Sequence, residues 1–217
     1  MKLLRDCRLY TFVDTDYLRG RDPAELARQL CDGGSDLIQL RAKTSTPEEI
    51  RRLGERILPI TQQAGVGLVI NDHPAVAREI GAFACHLGQE DFFDGGSARA
   101  AQATGFPAGP RLGLSTHSPA QALRALEAAP DYLGIGPVYA TGTKPSAKPV
   151  TLEYVRWAAA NLTIPWFAIG GITLQNLDDV LAAGATRLCV VSAILTASDL
   201  TRACQQFKER LLSAPLK

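Results

Sequence analysis

A rhythm runs through this sequence and limits the folds open to it. Short apolar runs of strand type alternate with helix-patterned stretches at intervals of about 25 residues along most of its length. The expected strands are Arg8–Asp14, Asp36–Arg41, Gly67–Ile70, Phe83–Leu87, Arg111–Ser115, a run holding Tyr132, Leu133 and Ile135, Pro165–Ile169 and Arg187–Val191. The expected helices are Pro23–Cys31, Pro47–Ala64, Pro74–Ile80, Ser97–Thr104, Pro119–Ala128, Leu152–Asn161, Leu174–Ala183 and Leu200–Leu212. Several helix starts carry their own signal. Asp22 stands before Pro23, Thr46 precedes Glu49 by three residues in a capping box, and Ser118 stands before Pro119. Strand then helix, eight times over, predicts one (β/α)8 TIM-barrel domain across residues 1–217, with a doubly wound open sheet as the alternative. No sequence repeat accompanies the rhythm, so a solenoid is not expected.

Composition removes several classes of function. Lys+Arg 23 against Asp+Glu 22 gives a formal net charge of +1, without the basic field that nucleic acid requires. The first residues interrupt their leucines with charge too early for a signal-peptide core, and no run approaches the roughly 18 apolar residues of a membrane span. A soluble, cytoplasmic protein is expected. Cys7, Cys31, Cys85, Cys189 and Cys204 are odd in number and widely spaced, which favours buried free thiols over disulfides or zinc.

In a barrel the site gathers where strands end, so those residues are the ones to compare. After the sixth strand, Gly136 and Pro137 break the run. A loop follows with the hydroxyls of Thr141 and Thr143, Gly142 between them, and Lys144. Hydroxyls, backbone N–H groups beside glycine and an ammonium are the donors a phosphate needs. At the second strand end, period-two alternation sends Gln39, Arg41 and Lys43 to one side. The third ends in Asn71-Asp72, and the fourth leads to Asp91.

Asp72 and Asp91 suit Mg2+, which takes one or two carboxylates and completes its shell with water and phosphate; the alternative is that both are helix N-caps. Electrostatics favours the metal. A carboxylate about 5 Å from a bound diphosphate is repelled by a few kcal/mol per unit charge at an effective dielectric of about 20, and a divalent cation between them reverses the sign. The fifth strand ends in Ser115-Thr116-His117, where Ser115 can bond a heteroaromatic ring or phosphate. His117 is either a proton shuttle or a neutral residue near the next helix cap. Gly170-Gly171 after the seventh strand and Ser192 after the eighth suggest a second phosphate site. The residues thus read as one Mg2+-diphosphate site (Arg41, Lys43, Asp72, Asp91, Lys144) and one monophosphate site (Thr141, Thr143, Gly171, Ser192). Two anionic substrates at one mouth imply a transferase with diphosphate as leaving group.

In order and spacing, Gln39-Leu40-Arg41-Ala42-Lys43, Asn71-Asp72, the stretches 86–91, 115–118 and 136–144, Ala168-Ile169-Gly170-Gly171-Ile172 and Val190-Val191-Ser192 resemble the thiamine phosphate synthase family. The resemblance covers about Leu9 to Leu195. It implies a (β/α)8 barrel that joins 4-amino-2-methyl-5-hydroxymethylpyrimidine diphosphate to 4-methyl-5-(2-hydroxyethyl)thiazole phosphate, releasing diphosphate. By position it assigns Gln39, Leu40, Arg41, Ala42, Lys43, Asn71, Ser115 and Lys144 to the pyrimidine diphosphate, with Arg41, Lys43 and Lys144 acting on the leaving group. Asp72 and Asp91 go to Mg2+, and Thr141, Gly142, Thr143, Gly171, Val191 and Ser192 to the thiazole phosphate.

This chain departs from the family pattern at His73-Pro74 after Asn-Asp, in a somewhat long segment from Phe92 to Pro110, and at Thr151, where many members have Gly. Two other functions fit the same scaffold. One is a thiazole tautomerase using His117, which has no need of the diphosphate and metal groups. The other is a non-catalytic sensor of phosphorylated thiamine precursors.

Overall fold

Eight parallel strands close on themselves in chain order, each hydrogen-bonded to the next and the eighth to the first. This computed structural model describes residues 2–93, 109–141 and 149–213, without the side chains of residues 90 and 91. The strands are β1 (Leu9–Asp14), β2 (Leu37–Arg41), β3 (Gly67–Asn71), β4 (Ala84–Leu87), β5 (Arg111–Thr116), β6 (Tyr132–Ile135), β7 (Trp166–Ile169) and β8 (Leu188–Cys189). The TIM barrel is therefore the fold, and the open sheet is ruled out by the β1–β8 pairing. A parallel sheet covered on its outside by helices buries both faces, so most strand residues are buried, Asp14 and Gln39 among them.

The helices start where short-range chemistry sets them. Asp22 accepts from the amides of Ala24 and Glu25, Thr46 and Glu49 form the reciprocal capping box, and Ser118 accepts from Gln121 N–H. The expected helix at Ser97–Thr104 lies outside the described residues. Two short helices, Gln89–Phe93 and Ser192–Leu195, were not expected, being too short to carry a helical period. The expected helix at Leu174–Ala183 begins only at Leu177, because Thr173 N–H bonds the Asn176 side chain and holds 173–176 in a turn.

Carboxylates pin the strand register at the amino ends, one of them buried and one half-buried. Asp131 accepts from Leu112 N–H. Asp36 accepts from the amides of Arg8 and Leu9, and also from Lys2 and from Lys208 of the last helix. Burial alone would raise the Asp36 carboxyl; these bonds bring it below the ordinary aspartate range. All five cysteines are free, four of them buried, and burial pushes Cys85 up to about 12, which keeps it an inert thiol.

Candidate active site

At the carboxyl ends of the strands lies a cavity lined by residues from every strand or the segment just after it. Gln39, Arg41 and Lys43 of the second strand end all line it. Leu40 and Ala42 are buried on the other side, Leu40 near Gly54 in the helix Pro47–Gln63. Period-two alternation thus holds, and any part Leu40 and Ala42 take in a ligand site is limited to their backbone. Gln39 sits deeper than its cationic neighbours. It is buried, and its amide nitrogen donates to Tyr10 Oη at 2.5 Å.

Arg41 is aimed by Asp14, which carries no local signal in the sequence. β1 and β2 pair with Asp14 opposite Arg41, and the Asp14 carboxylate accepts from Arg41 Nη1 at 2.9 Å. Asp16 takes the same nitrogen at 3.1 Å. Burial pushes the Asp14 carboxyl up, against the pull of the guanidinium. One strand further on, Lys43 Nζ donates to Asp72 Oδ2 at 2.6 Å, and Asn71 Nδ2 donates to the same oxygen at 2.6 Å.

Asp72 is not a helix cap. The cap of Pro74–Glu79 is His73, with no side-chain bond, and Asp72 stands at φ 61°, a left-handed conformation that Asp tolerates. Its Oδ1 takes none of the described bonds and is available to a cation. Among the described residues no cluster of three metal-ligating side chains occurs. Asp91 lies on the short helix after β4, with its side chain outside the described set.

The opposite side of the mouth carries Thr141, Gly171, Val191 and Ser192, all lining the same cavity. Gly171, at φ 64°, packs so closely on the loop after β6 that a Cβ would stand 2.6 Å from the Ala140 carbonyl oxygen. No other residue fits there, and β6 and β7 stay paired past their ends through Val138 N–H to Ile169 and Tyr139 N–H to Gly170. Gly142, Thr143 and Lys144 lie outside the described residues. His117 lines the cavity too, and its Nδ1–H donates to the Gly136 carbonyl.

The floor was not anticipated either. Tyr10, Phe12, Tyr132, Phe167 and Cys189 close the cavity from below, with Tyr10 and Tyr132 each set edge-on to Phe167 at 5.4 and 5.7 Å between ring centroids. His86 stands beside them and bonds Ser115 Oγ at 2.9 Å through Nε2. An apolar well of aromatic rings beneath a charged rim suits a flat heterocycle bearing a phosphorylated arm.

A closed parallel barrel with a strand-end cavity ringed by cations, carboxylates and glycine-rich turns defines a (β/α)8-barrel enzyme. Residues 9–194 match the family model described as thiamine monophosphate synthase, and the chain belongs to that family. It is 49% identical over 180 residues to the thiamine-phosphate synthase of Thermus thermophilus, covering 82% of this chain and 84% of that one. The thiamine-phosphate synthase of Shouchella clausii is 34% identical over 205 residues, 93% of this chain and 95% of the other. Among solved structures, thiamine phosphate pyrophosphorylase from Pyrococcus furiosus superposes with a TM-score of 0.87 at 27% identity, covering 98% of this chain and 99% of that one. The enzyme is therefore of the thiamine phosphate-forming type. No helix among the described residues is long and apolar enough to cross a membrane.

Proposed function

We propose that the enzyme joins 4-amino-2-methyl-5-hydroxymethylpyrimidine diphosphate to 4-methyl-5-(2-hydroxyethyl)thiazole phosphate by dissociative loss of diphosphate, assisted by Mg2+. The observation that carries this reading is the juxtaposition of Arg41, Lys43 and Asp72 on one rim of the cavity, across from Gly171 and Ser192. Cations and a carboxylate side by side suit a diphosphate held together with a divalent ion.

The donor set at Asp72 fits Mg2+ in kind. One carboxylate oxygen is engaged by Lys43 and Asn71 while the other takes no described bond, and Asp91 lies on the short helix Gln89–Phe93 after β4. Few protein ligands are what this ion takes when substrate phosphate completes its shell. When bound, the metal would neutralise charge growing on the departing diphosphate.

The chain's own residues do the rest. Arg41, held by Asp14, presents a fixed guanidinium to phosphate oxygens, whereas Lys43, nearly half exposed, is a movable point charge that can turn from Asp72 to the diphosphate. Lys144 adds a third cation in this assignment. Stabilising the leaving anion promotes cleavage of the bond to the methylene carbon, leaving a pyrimidinylmethyl cation that the thiazole ring nitrogen captures. The aromatic floor supports the flat pyrimidine, beside Asn71 and Ser115. Gly171, Val191 and Ser192, with Thr141, Gly142 and Thr143, hold the thiazole phosphate and set the ring nitrogen toward the carbon. The reading needs no side-chain nucleophile.

The test is to incubate the enzyme with both precursors and Mg2+ and to identify products by mass spectrometry. Thiamine phosphate and diphosphate in equal amounts are expected, and neither in EDTA. Undiminished product in EDTA refutes the metal assignment. Conversion of the thiazole alone, without diphosphate release, favours the tautomerase, and binding without turnover favours the sensor.

A further inference from the structure

Below the charged rim, the barrel interior holds a continuous line of polar atoms that the chemistry at the mouth leaves unexplained. Gln39 Nε2 donates to Tyr10 Oη at 2.5 Å, Tyr10 Oη lies 3.1 Å from Tyr132 Oη, and Tyr132 Oη lies 3.1 Å from His86 Nδ1. His86 Nε2 then meets Ser115 Oγ at 2.9 Å, where the line opens into the cavity. The strand register builds it. His86 on β4, Gly113 on β5 and Tyr132 on β6 stand at one level, so that the phenol lies across the glycine to reach the imidazole. A Cβ on Gly113 would come within 2.1 Å of Tyr132 Cζ, so this position admits no side chain while the phenol is in place.

Such a line has a direction that follows from counting hydrogens. The amide nitrogen of Gln39 can only donate, so the Tyr10 oxygen accepts from it. Tyr10 has one hydrogen, and Tyr132 Oη is the acceptor that its described contacts offer. Tyr132 passes its own hydrogen to His86 Nδ1. With Nδ1 accepting, the imidazole carries its proton on Nε2 and donates to Ser115. A doubly protonated ring would donate to Ser115 as well. Tyr10 and Tyr132 are both fully enclosed, and burial holds their hydroxyls well above the usual phenol range, so each keeps its hydrogen. Ser115 is left with one hydrogen and no acceptor within the line.

We infer that Tyr132 is a positioning residue that, through His86, fixes the Ser115 hydroxyl as a donor toward the cavity, so that the substrate heterocycle must present a lone pair there. The inference rests on the placement of the pyrimidine at Ser115 proposed above. Its specificity consequence is chemical: a ring nitrogen is accepted at that point and an N–H is not, because a donor facing a fixed donor leaves both unpaired.

Steady-state kinetics with the pyrimidine diphosphate varied at saturating thiazole phosphate test this on Tyr132→Phe, Ser115→Ala and the double variant. Each single change is expected to lower kcat/KM for the pyrimidine about tenfold, with the KM for thiazole phosphate within twofold of wild type. The double variant should be no worse than Ser115→Ala alone, because the two act through one bond. Additive losses, or a Tyr132→Phe enzyme within twofold of wild type, overturn the inference. Tyr132→Phe keeps the ring against Phe167; if it nevertheless fails to fold, the analogue pattern of Ser115→Ala given next decides the inference.

Direction is read from analogues. The Ser115→Ala penalty should vanish for a substrate with CH in place of one ring nitrogen. If it vanishes instead when the 4-amino group is replaced by hydrogen, Ser115 is an acceptor and the inference is wrong. A wild-type enzyme that forms no thiamine phosphate counts against the proposed reaction. In that case calorimetry of the unphosphorylated pyrimidine alcohol on the same variants decides the relay by the same pattern.

Discussion

Replacing Asp14 by Asn tests how the diphosphate cation is held. Asp14 is wholly buried and Arg41 is 12% exposed, so their 2.9 Å contact is an ion pair largely out of water. Asn keeps the volume and an oxygen for the Asp16 amide, which now bonds the carboxylate at 3.0 Å, but removes the charge and turns the oxygen that accepts from Arg41 into an NH2 donor. Breaking a buried pair from one side costs about 3–5 kcal/mol. Arg41 retains Asp16 and faces the open mouth, which reduces the expected loss to about 2–3 kcal/mol by the same reasoning.

Two assays read this prediction. Urea unfolding should show the loss in midpoint with an unchanged slope. Kinetics should show a KM for pyrimidine diphosphate raised about tenfold, since a guanidinium no longer fixed gives up about 1.4 kcal/mol of oriented contact. In an Arg41→Ala background, Asp14→Asn should be neutral or stabilising, because the buried carboxylate has already lost its cation. An Asp14→Asn enzyme within about 0.5 kcal/mol of wild type, with unchanged KM, would falsify the account of Arg41.

Other outcomes follow from single residues. Asp36→Asn should destabilise the barrel by roughly 2–4 kcal/mol near neutral pH, since it leaves Lys2 and Lys208 without the buried carboxylate they pair with, while an oxygen for the two backbone amides is kept. Because the folded carboxyl lies below its unfolded value of about 3.9, its contribution is present above that pH and is lost as pH falls through the folded value; acid unfolding of Asp36→Asn should show a flatter limb, and an unchanged limb rejects the clamp. Thr151 stands at φ 62°, where a β-branched residue is strained, so Thr151→Gly should stabilise by about 1 kcal/mol and raise Tm by about 2–4 °C; a lowered Tm contradicts it. Gly113→Ala should cost more than about 2 kcal/mol in chemical unfolding through the clash with Tyr132, and a cost below about 0.5 kcal/mol means the ring can step aside.

The rim of this site is legible in sequence and the floor is not. Charged and hydroxyl residues placed directly after apolar runs, as in Arg41-Ala42-Lys43 or Asn71-Asp72, break pattern where strands end, and the barrel rule gathers such breaks at one mouth. Gln39 was expected there by alternation, yet one step lower on the strand places it inside, against Tyr10. Tyr10, Phe12, Tyr132 and Phe167 lie within the apolar runs themselves, where a floor residue and a packing residue have the same signature. The Tyr10–Tyr132 bond joins residues 122 apart, and only barrel closure brings them together. His86 opens the stretch 86–91 that carries the family resemblance, and the only signals of its role are an imidazole inside an apolar strand and a serine two residues past Gly113 on the next strand. Asp14 reads only as a strand end, since nothing local announces its pairing with Arg41. Thr151 shows the reverse: a residue noted for standing where relatives carry glycine proves to need a glycine's backbone.

A crystal structure of the enzyme with thiamine phosphate, diphosphate and Mg2+ would show where each group sits. Diphosphate should lie against Arg41 and Lys43 with the metal on Asp72, and the thiamine phosphate group against Gly171 and Ser192 across the same cavity. Diphosphate bound away from Arg41, or a metal that leaves Asp72 paired only with Lys43 and Asn71, contradicts it.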